Sequence, residues 1–259
     1  MDLPGRHPRG PTLKADPFAQ LKLLDVQELD TRLDTLRHQL EHIPETATLQ
    51  DLARRRREVD DAVRDLRIQV TDLTAEQRKA DADVEQVKAR KVRDQGMLDS
   101  GSVADPKALE RMLGEMQSLD RRISDLEDVE LEVMERLETA QAQLDERTAE
   151  LARLDEEVVE VQAERDRKAG GLHDQVAAVT AERKQSVAGM PEDLLSLYEK
   201  LRAQKGGVGA APLRARECGG CRLTLDPSIL SEIARRPTDD VVRCEECSRI
   251  LVRTSESGI

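Results

Sequence analysis

Between Leu109 and Val179 the apolar residues return every seventh position. One series reads Leu109, Met116, Ile123, Leu137, Leu144, Leu151, Val158, Leu172 and Val179, broken only by Glu130 and Arg165. The second reads Met112, Leu119, Leu126, Val133, Ala140, Leu154 and Val161. A seven-residue repeat held in one frame for this long marks a coiled coil rather than the amphipathic helix of a globule. The preceding segment keeps the same period, with Leu49, Val63, Val70 and Val84 in one series and Leu52, Val59, Leu66, Leu73, Ala80 and Val87 in the other. Upstream of Pro44 the pattern continues through Leu29, Leu33, Leu36, Leu40 and Ile43, but in a different frame. Pro44 also lacks a helical N–H, so a kink is expected near 44.

Between the two arms lies Ser100-Gly-Ser-Val-Ala-Asp-Pro-Lys107, in which Asp105 suits an N-cap and Pro106 a first helical position. A short connection between arms of equal length predicts an antiparallel two-helix hairpin over 17–188, with its tip loop at 99–106. The frames of both arms are satisfied when Val70 faces Val133 and Leu66 faces Leu137. The same register puts Arg56 opposite Arg147 in the seam. That layer reads either as an anion or RNA site or, preferably, as two side chains snorkelling out to Glu58, Glu146 and Glu150. His38 and His42 stand four apart on a helix, but without a third ligand nearby they read as exposed polar residues. The remaining boundaries are a flexible tail at 1–16, a short helix and linker at 189–212, a small module at 213–254 and a tail at 255–259.

Composition supports a mostly α chain. Charged residues make up 36% of the 259 and aromatic residues 1%, a mixture typical of long solvated helices. Net charge is −12, and residues 17–188 carry all of it. An acidic rod is repelled by a phosphate backbone, which disfavours nucleic-acid binding along its length. Nothing reads as a signal peptide or a membrane span, so a cytoplasmic setting is expected.

The four cysteines form two matched pairs, Cys218-Gly-Gly-Cys221 and Cys244-Glu-Glu-Cys247. A two-residue gap lets both thiolates of one turn reach the same ion, and two such turns complete a tetrahedral S4 shell suited to zinc. Iron in the same cage is the alternative; two disulfides would need an oxidising compartment, and a redox pair a βαβ context. With Cys218, Cys221, Cys244 and Cys247 as ligands the shell is closed, so one structural Zn2+ is expected. Leu223-Thr-Leu225 reads as a strand, Asp226-Pro227 as the start of a short helix, and Val241-Val242 with Ile250-Leu-Val252 as a hairpin. So few large apolar residues cannot fold this module by burial alone, and metal binding must supply the difference.

The run Cys218-Gly-Gly-Cys-Arg-Leu-Thr-Leu-Asp-Pro, with Val241-Val-Arg-Cys-Glu-Glu-Cys-Ser-Arg-Ile-Leu, resembles the bacterial C4-type zinc-ribbon family that carries an N-terminal coiled-coil hairpin. The loop 100–109, Leu126-Glu-Asp-Val-Glu-Leu-Glu-Val-Met-Glu135 and Leu23-Leu-Asp-Val-Gln-Glu-Leu-Asp30 are similar to its hairpin tip and opening helix. The resemblance implies the same four cysteine ligands. Ser248 departs from the family's glycine after the last cysteine. Some members resembling this chain are flagellar regulators thought to bind a sigma factor and messenger RNA.

The function expected from these features is a non-enzymatic adaptor or scaffold, binding protein partners through the ribbon, the hairpin tip, or both. The ribbon's candidate apolar centre is Leu223, Leu225, Ile229, Ile250 and Leu251. The alternative is an RNA-binding regulator using Arg214, Arg216 and Arg222 with Lys200, Arg202 and Lys205. Against it, the ribbon is charge-neutral and offers no aromatic residue for base stacking. No nucleophile and base pair suggests an enzyme.

Overall fold

The computed structural model describes residues 13–259. In chain order the elements are α1 (Pro17–Glu41), α2 (Pro44–Asp99), α3 (Pro106–Val187), α4 (Glu192–Gln204), β1 (Ala210–Arg214), β2 (Glu217–Cys218), α5 (Pro227–Arg235) and β3 (Ile250–Arg253). Helices α1, α2, α3 and α5 each begin on a proline, whose missing N–H is not needed in the first turn. Asp16, Asp105 and Asp226 cap three of these starts by accepting from the N–H of Phe18 (2.8 Å), Ala108 (3.1 Å) and Ser228 (2.8 Å). The helix breaks at His42 and Ile43, immediately before Pro44. The described residues pack as two compact units: the chain up to Pro44 together with Glu164–Ile259, and Glu45–Ala163.

The second unit is the antiparallel pair of α2 and the first part of α3. Its buried apolar residues are Leu52, Val59, Val63, Leu73, Ala80 and Val84 on α2, with Met116, Leu119, Ile123, Leu126, Val133, Ala140 and Leu154 on α3. All of them occupy the expected seam positions. The register does not follow the expectation. Arg56 pairs with Asp155 (2.5 Å), eight positions beyond Arg147, and Arg147 bonds Glu150 on its own helix (2.6 Å). Lys88 meets Glu127 (2.7 Å), Lys91 meets Asp120, and Glu76 meets Arg136 (3.4 Å). Asp155, Asp120 and Arg136 lie eight or nine positions further along α3 than the expected register would place them, about one heptad. Glu127 lies twelve further, and Glu115, which meets Arg90 near the connection, only two. A seven-residue repeat defines register only to the nearest seven, and the connection between the helices selects among the alternatives. The two-arginine layer therefore does not form, and the snorkelling reading of Arg56 holds through Asp155 rather than through the acids first considered.

Glu130, which interrupts the repeat, faces Asp81 across the seam. Burial, then a shared hydrogen bond and like charge from Asp81, raise its carboxyl above the usual glutamate range.

The first unit joins α1, the end of α3, α4 and the C-terminal module. Leu33, Leu36 and Val179 form one core cluster between α1 and α3, with Leu29, Leu172 and Val176 packed against it. A larger cluster brings Leu23 and Val26 of α1 and Leu194, Tyr198 and Leu201 of α4 onto Ala210, Val241, Ile250 and Val252. Among these side chains Asp30 is buried, its carboxylate only 3% exposed. It accepts from the Tyr198 hydroxyl (2.7 Å) and from Arg183 Nε (2.6 Å) and Nη2 (3.1 Å). Arg202 then donates to both oxygens of Asp34 at 2.7 Å. Charge-assisted bonds from α3 and α4 thus converge on two carboxylates of α1.

The sheet has the order β2-β1-β3, with β1 antiparallel to β2 and parallel to β3. Strand β1 comes from a segment expected to be linker and module edge. Pro212 argues against a central strand, but β2 pairs only with Leu213 and Arg214, so no ladder bond is missing there. Thr224 makes a single bridge to Glu217 rather than a full strand, whereas the helix expected after Asp226 and the pairing of Leu251 N–H with Val242 O (2.8 Å) are present.

Of the expected tail 1–16, residues 1–12 lie outside the described residues. Leu13 accepts from the Val241 N–H (2.9 Å), and the Ala15 N–H donates to Asp239 O (2.8 Å). At the other end Ser257 is buried and its hydroxyl donates to Leu213 O (3.1 Å).

Two outcomes follow for the coiled-coil unit. A one-heptad displacement brings Val70 opposite Ala140, so cysteines placed at 70 and 140 should oxidise within one chain and cysteines at 70 and 133 should not. Cross-linking at 70 and 133 instead would restore the original register. Glu130 has a raised folded-state pKa, so its favourable contribution is present below the usual glutamate value of about 4.3 and is lost as pH rises through the folded value. Glu130→Gln should raise the melting temperature at neutral pH and flatten its dependence on acidification, measured by calorimetry.

Candidate metal centre

Each cysteine pair sits on a knuckle with the same hydrogen-bond pattern. In the first, the Arg222 N–H donates to Cys218 O (2.7 Å) and the Cys218 N–H to Leu223 O (3.0 Å). In the second, Ser248 N–H donates to Cys244 O (2.8 Å) and Cys244 N–H to Arg249 O (3.0 Å). The residue after the second cysteine adopts positive φ in both, 60° at Arg222 and 64° at Ser248. Such a conformation costs a residue with a Cβ roughly 1–2 kcal/mol, so Ser248 does carry the strain anticipated for a position where the family has glycine. The two glycines of the first knuckle answer to close approach instead. A Cβ on Gly220 would lie 2.8 Å from Arg249 Cδ, and one on Gly219 would lie 3.0 Å from the Pro212 ring.

The knuckles bring the four sulfurs together. Cys218 Sγ lies 3.8 Å from Cys247 Sγ and Cys221 Sγ lies 3.9 Å from Cys244 Sγ. All four lie within 4.8 Å of one another. Tetrahedral zinc with Zn–S bonds of about 2.3 Å holds its sulfurs about 3.8 Å apart, so the cage fits that ion. Its electrostatics point the same way. Burial pushes the Cys218 thiol up, and pushes Cys244 up to about 12, with a hydrogen bond from Cys247 and the charge of Cys218 adding to the effect. Burial also acts to raise Cys247, but the Arg249 backbone N–H and side chain, with the neighbouring thiols, outweigh it and pull Cys247 down to about 7. The Cys247 thiolate forms readily while Cys218 and Cys244 resist; a divalent cation at the centre removes that mutual repulsion. The four cysteines hold one structural Zn2+ and leave no position for a reacting water.

Arg249 is the supporting residue that sequence reasoning missed. Its side chain donates to Val208 O (3.0 Å) and Lys205 O (2.8 Å), so it ties the second knuckle to the end of α4. An arginine in a surface-like Ser-Arg-Ile run carries no signal of that role. Arg253 acts similarly, donating to the carbonyls of Arg236, Pro237, Thr238 and Asp240 and gathering that loop under β3.

The other singled-out residues are differently placed. Leu225, Ile250 and Leu251 are buried in the core and Ile229 packs against it, so of the expected apolar centre only Leu223, 50% exposed, faces outward. Arg202 is committed to Asp34, Arg214 pairs with Glu256 (2.9 Å), and Arg216 Nε donates to Gly258 O (3.4 Å).

Because Ile250 and Val252 share a core with α1 and α4, loss of the metal should reach those helices. Cys221→Ser should abolish stoichiometric zinc, removing a stabilisation of roughly 10–16 kcal/mol from the module. Amide exchange should then accelerate in α1 and α4 as well as in 210–253, while the seam of α2 stays protected. Exchange confined to 210–253 would show that the module folds apart from its helical base.

Residues 26–206 match the family described as the CT398-like coiled coil hairpin domain, and residues 218–251 match the C4-type zinc ribbon domain. The chain is 33% identical over 241 residues to the uncharacterized protein Rv2229c of Mycobacterium tuberculosis, an alignment covering 93% of this chain and 98% of the relative. A solved structure from Mycobacterium smegmatis is 34% identical, with a TM-score of 0.78 over 93% of this chain and 100% of that one. The structure of CT398 from Chlamydia trachomatis is alike in fold, with a TM-score of 0.60 at 21% identity over 92% of this chain and 98% of that one. With its hairpin and its metal module both matched in order along the chain, this protein belongs to the CT398-like coiled-coil hairpin family and ends in a C4-type zinc ribbon.

Proposed function

We propose that the chain is a non-enzymatic adaptor that binds a protein partner through the hairpin tip, with the zinc ribbon as its folded base. The observation that carries this reading is the set of apolar side chains left exposed on the helix turns flanking the tip connection. Val92 is 71% exposed and Leu113 51%, and Met97 and Leu109, on the turns next to the connection, are also exposed. Val92 and Leu113 fall outside the heptad seam, so coiled-coil packing does not account for them. Single exposed apolar residues are ordinary, but several gathered around one connection mark an interaction surface. The ribbon offers less than its sequence suggested, because its large apolar residues are buried in its own core and in the one it shares with α1 and α4. The RNA reading also loses support, since Arg202, Arg214 and Arg216 are engaged within the chain. Among the described residues no helix is long and apolar enough to cross a membrane.

The test is a pull-down from native lysate, comparing wild type with Val92→Glu and Leu113→Glu. Both sites are exposed, so helical content should be unchanged by circular dichroism. A protein captured by the wild type should survive a rise in salt and be lost from both variants. Capture that persists in these variants, disappears on changing Arg214, Arg216 and Arg222 to Ala, and weakens steeply with salt would replace this reading with nucleic-acid binding.

A further inference from the structure

The last turn of α1 carries His38, Glu41 and His42, and the third ligand that the sequence reading did not see is Glu41. Positions i, i+3 and i+4 share one helical face. The structure brings one donor atom from each of the three within 4.8 Å of one another, and all three side chains are exposed and free to adjust. The two imidazole rings lie side by side, their centroids 4.0 Å apart.

Three features suit this trio to a cation. His42 Nδ1 lies 2.8 Å from His38 O. With its proton on Nδ1 donated to that carbonyl, Nε2 keeps its lone pair, which is how metal-bound histidines are usually oriented. The site also sits at the C-terminal end of α1, the negative end of the helix dipole. The nearby cations are partly offset: Arg37 pairs with Asp34 (3.7 Å), which Arg202 also engages, and Arg167 (2.6 Å) and Lys168 (3.5 Å) share Glu164.

We propose that His38, Glu41 and His42 form a second, solvent-open site for a divalent transition-metal ion, separate from the cysteine cage. Two imidazoles and a carboxylate suit zinc, nickel or cobalt, in contrast to the all-sulfur shell of the ribbon. Three protein ligands leave at least one coordination position for water or an external ligand. The trio is open to solvent, so an external ligand can reach it; His42 also lines an open groove of about 590 Å³ whose walls include Pro44, Leu172 and the cations Arg167 and Lys168.

The experiment titrates Ni2+ by calorimetry into the full, untagged chain with its ribbon already zinc-loaded. One further ion should bind per chain while the ribbon zinc is retained. His38→Ala and His42→Ala should each weaken that event at least about tenfold, and Glu41→Gln should weaken it measurably, with helical content unchanged. Absence of a further binding event would overturn the proposal. So would equal binding by wild type and the two alanine variants, which would assign the ion to His7 or His173. Unchanged binding by Glu41→Gln would overturn the three-ligand site.

Discussion

Strand β3 is buried on both faces, and that double burial ties the metal to the rest of its unit. Side chains alternate across a strand. Ile250 and Val252 therefore enter the core shared with α1 and α4, while Leu251 enters the one built around the cysteines. The ribbon's own core, Leu213, Leu225, Leu230, Ile233, Val242 and Leu251, is too small to stabilise a module of this size without the ion. Bound zinc would fix the knuckles from which β3 departs, and β3 completes the apolar floor on which α1 and α4 rest.

Polar contacts make that arrangement specific. Tyr198, the chain's one tyrosine, is fully buried, and its hydroxyl, with the Arg183 guanidinium, satisfies Asp30. Burial and the Asp30 carboxylate raise the Tyr198 hydroxyl well above its ordinary range, and the bond to Asp30 likewise keeps Arg183 charged. A buried carboxylate without these partners would be strongly destabilising, so α1, α3 and α4 pack stably only in the relation that brings all three groups together. Gln27 adds a second such tie. Its side-chain oxygen accepts from the Gly209 N–H (2.7 Å) and its nitrogen donates to Gly207 O (2.9 Å). A Cβ on Gly209 would lie 2.6 Å from Tyr198 O, so only glycine lets the chain pass α4 on its way into β1.

Much of this was legible in the residues. The seven-residue period identified every buried apolar position of the coiled-coil unit, because a helix seam is a local property repeated along one chain. The Asp-Pro pairs located two helix starts, and the spacing of the cysteines identified the metal cage, because a two-residue gap between ligands is itself a geometric statement. What escaped was non-local. A segment with glycine, alanine and proline read as linker, yet its small side chains are what fit beneath the knuckle: a Cβ on Gly220 would already stand 3.1 Å from Ala211 Cβ. Leu225, Ile250 and Leu251 could not be divided between surface and core by sequence, since a short apolar run fits either place.

The sequence by itself determined the secondary structure of the long arms, the antiparallel return between them, the sites of helix initiation and the donor set for zinc. All of these depend on spacing along the chain, which periodicity and backbone chemistry control directly. Tertiary structure alone decided which heptad faces which, since a repeat of seven is satisfied equally by every displacement of seven. It also decided that the ribbon shares its core with α1 and α4. Those outcomes depend on which side chains from distant segments meet, and distance along a chain carries no record of that.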